Sequence, residues 1–335
     1  MSENIENLNR RSFMGAAGSL AGGIAGGIAG GMVAAGAAQA ATPGFDYKKA
    51  VESFRFKDNI WNRDAYAKLQ ANLDLTKTKY GWFGGVVLGV RPNERVKELF
   101  RFEGMSACKF EKKPDGSYMK LLREVGYYRD FKTGEFLTEW LNPYTNEKVK
   151  VVPITNDPFN YAISEFYPDP PSFGGLNKEK PPKIPFILNW KPVGKTLLLE
   201  TDIHLYYPNA LQPDKWPRES AGKMVQASEM YRYNIRIEDM ADESKTSVEY
   251  TGTWARITPW LPWMLMGQAE GHCNYECYMG GFDSVDSIPA DIVEYTKKNY
   301  PKFLTAPDKD TGKSLSSLEV YAETQKPQPP KQPGS

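Results

Sequence analysis

From residue 80 onward the chain alternates short runs rich in Val, Phe, Tyr and Trp with clusters of turn-forming residues. The runs are Tyr80 to Val90, Phe100 to Glu111, Tyr118 to Tyr128 and Glu135 to Leu141, and the punctuation includes Lys113-Pro114-Asp115-Gly116 and Lys132-Thr133-Gly134. Large side chains at alternate positions, interrupted by Gly, Pro and Asp, predict an antiparallel meander. The texture returns at Lys195 to Tyr207, Gln226 to Glu238, Ser247 to Ile257 and Glu270 to Met279. Between the two groups, Tyr167 to Pro185 is polar and proline-rich and is neither helix nor central strand. The helical period appears at Asp58 to Leu73, with Ile60, Tyr66, Leu69 and Leu73 near one face and Asp58 as cap. A second helix is predicted from about Ser287, with serine as cap ahead of Pro289 and Asp291 complementing the dipole.

About nine strands with few helices predict a mainly β chain, closed into a calycin- or lipocalin-like barrel because closure removes exposed edges. A two-sheet β-sandwich is the alternative. Residues 41–325 read as a single domain, followed by a disordered Pro-rich tail at 326–335.

The first 40 residues follow a different logic. Arg10-Arg11-Ser12-Phe13-Met14 precedes a Gly/Ala run closed by Ala38-Gln39-Ala40, the pattern of a twin-arginine signal peptide cleaved near Ala40. The mature chain is therefore expected in the periplasm, with the twin-arginine translocase as its partner during export. Gly18 to Ala41 is long enough to cross a bilayer, but it is glycine-rich and leucine-poor, so no stable membrane span is expected after cleavage. Retention as an anchor is the alternative.

Charge narrows the function classes. Lys and Arg number 42 against 41 Asp and Glu, a net +1 with no basic run, so no nucleic-acid partner is expected. Aromatic residues make up 13%, including 19 Tyr and 8 Trp, a composition suited to strands and to pockets for flat or apolar molecules. Three cysteines are too few for a disulfide framework. Cys273 and Cys277, four steps apart on one expected strand, stand about 13 Å apart, beyond disulfide reach. Only His204 and His272 supply imidazoles, and no nucleotide loop or nucleophile elbow is visible, so no metal site and no cofactor are expected.

Candidate chemistry comes from strand alternation. Between Leu197 and Tyr206, Leu197, Leu199, Thr201, Ile203 and Leu205 face one way, and Glu200, Asp202, His204 and Tyr206 the other. That second row holds a general acid and base if it faces a polar lumen, and is a solvated outer face otherwise. Tyr231 and Tyr233 share a face and suit a core or a cavity wall. Trp254 and the run Pro259 to Gly267, with Trp260, Trp263 and Met266, must bury themselves as an end plug, a lid over a ligand or a docking patch. Arg129 is a candidate anchor for an anionic group. Two functions follow. One is a barrel binding a small hydrophobic or aromatic ligand, with metal- and nucleotide-independent isomerase or lyase chemistry by proton transfer as its catalytic version. The other is a non-catalytic cell-envelope module docking through an exposed Trp/Met segment.

The order Trp82-Phe83-Gly84-Gly85, Leu99-Phe100-Arg101-Phe102-Glu103-Gly104, Tyr127-Tyr128-Arg129-Asp130, Thr133-Gly134, Trp140 with Asn142-Pro143-Tyr144-Thr145, Asn156-Asp157-Pro158 and the Trp260 to Gly267 run resembles an uncharacterised bacterial family, domain of unknown function eighteen thirty-eight. The resemblance spans nearly the whole mature chain and implies a single domain, with twin-arginine export in many members. It implies no catalytic residue. Asn146 stands where the family pattern has glycine.

Overall fold

A computed structural model describes residues 44–168, 182–312 and 314–330. The expected signal peptide, most of the proline-rich connector and the last five residues lie outside the described residues. The fold belongs to one compact unit, Ala40–Ser335. No helix among the described residues is long and apolar enough to cross a membrane.

The alternating runs form strands β1 (Lys79–Val90), β2 (Lys97–Lys112) and β3 (Tyr118–Arg129). Glu135 to Leu141 contributes only β4 (Glu139–Leu141), which pairs with β5 (Lys148–Lys150) in a separate two-stranded sheet. Short β6 (Ile154–Asn156) and β7 (Tyr161–Ile163) both pair with β3. The second group gives β8 (Trp190–Val193), β9 (Thr196–Pro208), β10 (Met224–Arg236), β11 (Tyr250–Thr258) and β12 (His272–Phe282). The main sheet runs β6-β3-β2-β1-β12-β11-β10-β9-β8, with every pairing antiparallel. The two meanders meet at a seam in which β1 pairs with β12 along its length, from Tyr80 opposite Phe282 to Val90 opposite His272.

This sheet is strongly curled. β3 and β10 are five strand spacings apart, about 24 Å if flat. Yet the single side chain of Gln70 accepts from Lys120 of β3 at 3.1 Å and donates to the Tyr233 hydroxyl of β10 at 3.3 Å. Among the described residues no sheet closes into a barrel by strand pairing, and what is shown of the expected closed barrel is a large antiparallel sheet curled about a concave face.

Helices α1 (Tyr47–Ser53), α2 (Asn59–Gln70), α3 (Ile237–Ala241), α4 (Ala290–Asn299) and α5 (Ser317–Thr324) flank it. Asp58 caps α2 as expected, accepting from the Trp61 amide at 2.9 Å. Leu69 of α2 packs into the concave side with Leu197, Leu199, Tyr233, Ile235 and Met279. On the opposite face, Ile292 of α4 packs with Met105, Val125, Tyr127 and Phe303. The expected Ser287 cap is not formed. Pro289 occupies the N-cap of α4, and Ser287 ends a short turn of 3-10 helix, Val285–Ser287, which is capped by Ser284. α5 begins with a capping box in which Ser316 and Glu319 satisfy each other's backbone amides. Asn146 sits at φ 55°, the left-handed region that glycine fills freely and asparagine tolerates.

Candidate functional site

Residues opposite each other in a ladder share a face, so the register fixes what lines the concave side. Tyr231 lies opposite Trp254 and Glu229 opposite Arg256 between β10 and β11, while Thr201 and Ile203 of β9 lie opposite Tyr231 and Glu229. On the other wall, Lys120, Leu122 and Glu124 follow one another at alternate positions of β3.

These groups make one polar cluster. Trp254 Nε1 donates to Glu229 Oε2 at 3.2 Å, the Tyr231 hydroxyl donates to the same oxygen, and Arg256 Nη1 stands 3.4 Å from Glu229 Oε1. Arg256 Nε is buried and has no hydrogen-bond acceptor among the described residues. Glu124 Oε1 accepts from Asn156 Nδ2 at 3.1 Å, and the Asn156 Oδ1 accepts from Ser317 Oγ of α5 at 3.1 Å, which fixes the amide's orientation. Burial, and after it the negative charge of Glu229, raises the Glu124 carboxyl above the ordinary value, while Arg256 opposes the rise. Glu124, Glu229 and Arg256 therefore act on one another across the concave space.

Aromatic rings wall the cluster. Phe83 stacks on Phe102 at 5.3 Å, Phe102 meets Tyr275 edge-on at 5.2 Å, and Trp254 lies 5.6 Å from Tyr275. The Phe102 ring lies over Gly126, where a Cβ would come within 2.5 Å of it, so glycine there makes room for the wall. Burial raises the phenols of Tyr231 and Tyr275 well above their ordinary value. Deeper in, Lys120 donates to Gln70 and to the Tyr161 hydroxyl, both at 3.1 Å. Lys79, bonded to Ser247 Oγ at 2.9 Å, is pulled down to about 8 by burial.

The polar end of this face remains open. Ile203 faces inward yet is 43% exposed, and the side chains of Arg256 and Glu229 retain 29% and 15%. The arrangement presents hydrogen-bond donors, a carboxyl of raised pKa and flat apolar walls to whatever enters. Among the described residues no group of three or more His, Cys, Asp or Glu is placed to hold a metal.

The residues expected from the sequence separate into three sets. Tyr231, Tyr233 and Trp254 lie on the concave face, with Tyr231 and Trp254 in the cluster and Tyr233 buried below it. Glu200, Asp202, His204 and Tyr206 do not face the interior, because the apolar row of β9 takes that side. All four are exposed, with Asp202 paired to Arg232 at 2.5 Å and His204 Nδ1 3.0 Å from Ser228 Oγ. Arg129 is likewise on the opposite face, where it binds Glu103 at 3.1 Å and Asp291 at 2.6 Å and covers the Phe136 ring. It clamps α4 to the sheet instead of reaching the cluster.

Trp260, Trp263 and Met266 are 4%, 3% and 8% exposed. Trp263 packs on Phe100, Tyr128 and Trp140, and Asn142 Nδ2 pins the segment by donating to the Met264 carbonyl at 2.8 Å. These three side chains are packed inside the protein and not presented at the surface, where the docking reading places them. A groove of about 470 Å³ beside this segment, open to solvent, is lined in part by Gln226, Ser228, Ile257, Trp260 and His272.

Glu229, Arg256 and Glu124 were not singled out from the sequence. Glu229 and Arg256 keep step with Tyr231 and Trp254, a legible signal, whereas Glu124 becomes notable only once the curl brings β3 toward β10.

The fold and cluster define a mainly β protein whose candidate site is a ring-walled carboxylate–guanidinium group on the concave face of one antiparallel sheet. The chain belongs to the family described as Protein of unknown function (DUF1838), whose sequence pattern matches residues 76–325. The match runs from just before β1 to just past the end of α5. No curated protein sequence matches the chain.

Proposed function

We propose that this chain is a periplasmic protein, exported by the twin-arginine route, that binds a small hydrophobic or aromatic molecule on the concave face of the sheet. One observation carries the reading: Glu229, Arg256, Tyr231 and Trp254 point inward, are surrounded by rings, and still retain solvent access, which a filled core would deny them. The ligand's apolar body lies against Phe83, Trp254 and Tyr275, and its polar group meets Arg256 and Glu124. In this reading the sheet works as an incompletely closed calycin-like barrel. Supporting that, the chain leaving β7 bonds to the chain entering β8 through Tyr167 N to the Ile184 carbonyl and Phe186 N to the Glu165 carbonyl, both at 2.9 Å.

Native mass spectrometry of protein recovered from the periplasm should show a bound small molecule that Trp254→Ala or Tyr231→Phe weakens. Protein that carries no adduct, and that leaves 2-naphthol unbound in a tryptophan-quenching titration, refutes the reading. Amino-terminal sequencing should begin near Ala41; an intact Met1 would refute cleavage.

A further inference from the structure

We propose, building on the ligand reading above, that the concave cluster is a proton-transfer site for a flat, uncharged carbonyl compound. Glu124 moves the proton and the unpartnered edge of Arg256 receives the carbonyl oxygen.

Three observations assign the roles. Among the described residues Arg256 Nε is buried without a hydrogen-bond acceptor, while the same guanidinium meets Glu229 through Nη1 at 3.4 Å. A buried donor left open in this way costs stability unless something fills it, and a carbonyl oxygen is the minimal group that does. Glu229 is held by Trp254, Tyr231 and Arg256, so three of its roughly four acceptor directions are taken, and it serves to position Arg256. Glu124 is different. One oxygen is fixed by Asn156, itself oriented by Ser317, and among the described residues no hydrogen bond reaches the other. A carboxyl with one anchored and one free oxygen, in a site that disfavours its charge, is suited to taking a proton from carbon and returning it.

Charge selects the substrate class. Arg256 and Glu229 cancel, and a second anion at this point would face the Glu229 carboxylate, so an uncharged oxygen is favoured over a carboxylate. The walls of Phe83, Phe102, Trp254 and Tyr275 select a flat apolar body. The step balances without a co-reactant. The Glu124 carboxylate takes a proton from the carbon next to the carbonyl, and the C–H electron pair moves onto the carbonyl oxygen as an enolate held by Arg256. The same carboxyl then returns the proton to that carbon or, in an unsaturated ketone, to the far end of the conjugated system, which is an isomerisation.

The test uses 2-tetralone, a flat ketone with acidic α-hydrogens, and 2-naphthol as a mimic of its enol. Hydrogen–deuterium exchange of 2-tetralone in D2O, followed by NMR, should be accelerated by the wild-type protein. Glu124→Gln should lower that acceleration by about 100-fold or more while still binding 2-naphthol by tryptophan quenching, and His204→Ala should leave both unchanged. Should Glu124→Gln lose its fold, Glu124→Asp keeps the carboxylate and displaces it, with an expected loss of at least about tenfold. Binding of 2-naphthol without acceleration by the wild type, or equal exchange by wild type and the Glu124 variants, overturns the proton-transfer inference and leaves the ligand reading standing. Failure of both compounds to bind overturns both.

Discussion

Glu124→Gln offers a direct measurement of what the concave site does to a charge. The side chain accepts from Asn156 at 3.1 Å, a bond that a glutamine oxygen reproduces, and the volumes are nearly equal. What differs is titration. Burial, reinforced by Glu229, raises the native carboxyl above its ordinary value of 4.5, so between 4.5 and the raised value the native chain holds a proton that the unfolded chain has released. In that window the wild type loses stability as pH rises, by about 1.4 kcal/mol per pH unit. Below it the contribution is fully present, and above the raised value the loss is complete and constant. Glutamine has no such slope. The two proteins should therefore melt together at pH 4, and the variant should gain on the wild type by about 3 °C per pH unit through the window before levelling, since 1 kcal/mol moves a chain of this size by roughly 2 °C. Taking the difference cancels the titrating groups that do not interact with Glu124, including Glu103, which burial also raises. Thermal melts from pH 4 to 8 provide the assay. A difference that is flat across this range, or that falls with pH, would refute the account of Glu124 as a carboxyl whose charge the site disfavours.

Other expectations follow from the packing. Phe102→Ala removes a ring that is 4% exposed and touches Phe83, Tyr128, Trp254 and Tyr275, and should cost about 3–5 kcal/mol in urea unfolding; a loss under about 1 kcal/mol would mean that the ring wall is not a packed unit. Asn142→Ala frees the Met264 carbonyl and the Tyr144 amide that the side chain satisfies, and should cost about 1–3 kcal/mol with faster amide exchange across 260–267. Ser316→Ala removes the capping box of α5 at a cost of about 1 kcal/mol, visible as faster exchange confined to 317–324. The thiols of Cys273 and Cys277 are pushed up to about 12 by burial, and Cys108 is also raised and buried. A thiol reagent at pH 8 should label none in the native protein and all three in denaturant, and rapid native labelling would contradict the packing described.

The strands were legible because runs rich in Val, Phe, Tyr and Trp are bounded by turn-forming residues, and in β1, β2, β3 and β9 to β12 the ends fall within a few residues of expectation. Glu135 to Leu141 failed because its turn, built on Asp130 and Gly134, returns the backbone only briefly: Asp130 N bonds the Glu135 carbonyl and the chain then departs into the small second sheet. Alternation correctly divided β9 into two faces but cannot say which is inside; that depends on α2 and on Tyr233 and Ile235, which present apolar surface to the Leu197 side. The Trp260 run was identifiable as buried from its composition, whereas its partners, Phe100, Tyr128 and Trp140, lie more than a hundred residues away. Glu124 was out of reach for the same reason, since what it faces across the sheet is a property of curl and not of spacing, whereas Glu229 and Arg256 were within reach of alternation.

The seam between β1 and β12 also governs what a ribosome can release safely. A chain still short of residue 272 has made β1 but not the strand that covers one of its two edges, so a stalled or truncated product carries a long bare ladder of amides and carbonyls. Completion of the sheet waits on β12, which begins only at residue 272 of 335, and quality control acting on incomplete products would find its signal in the bare edges of β1 and β11.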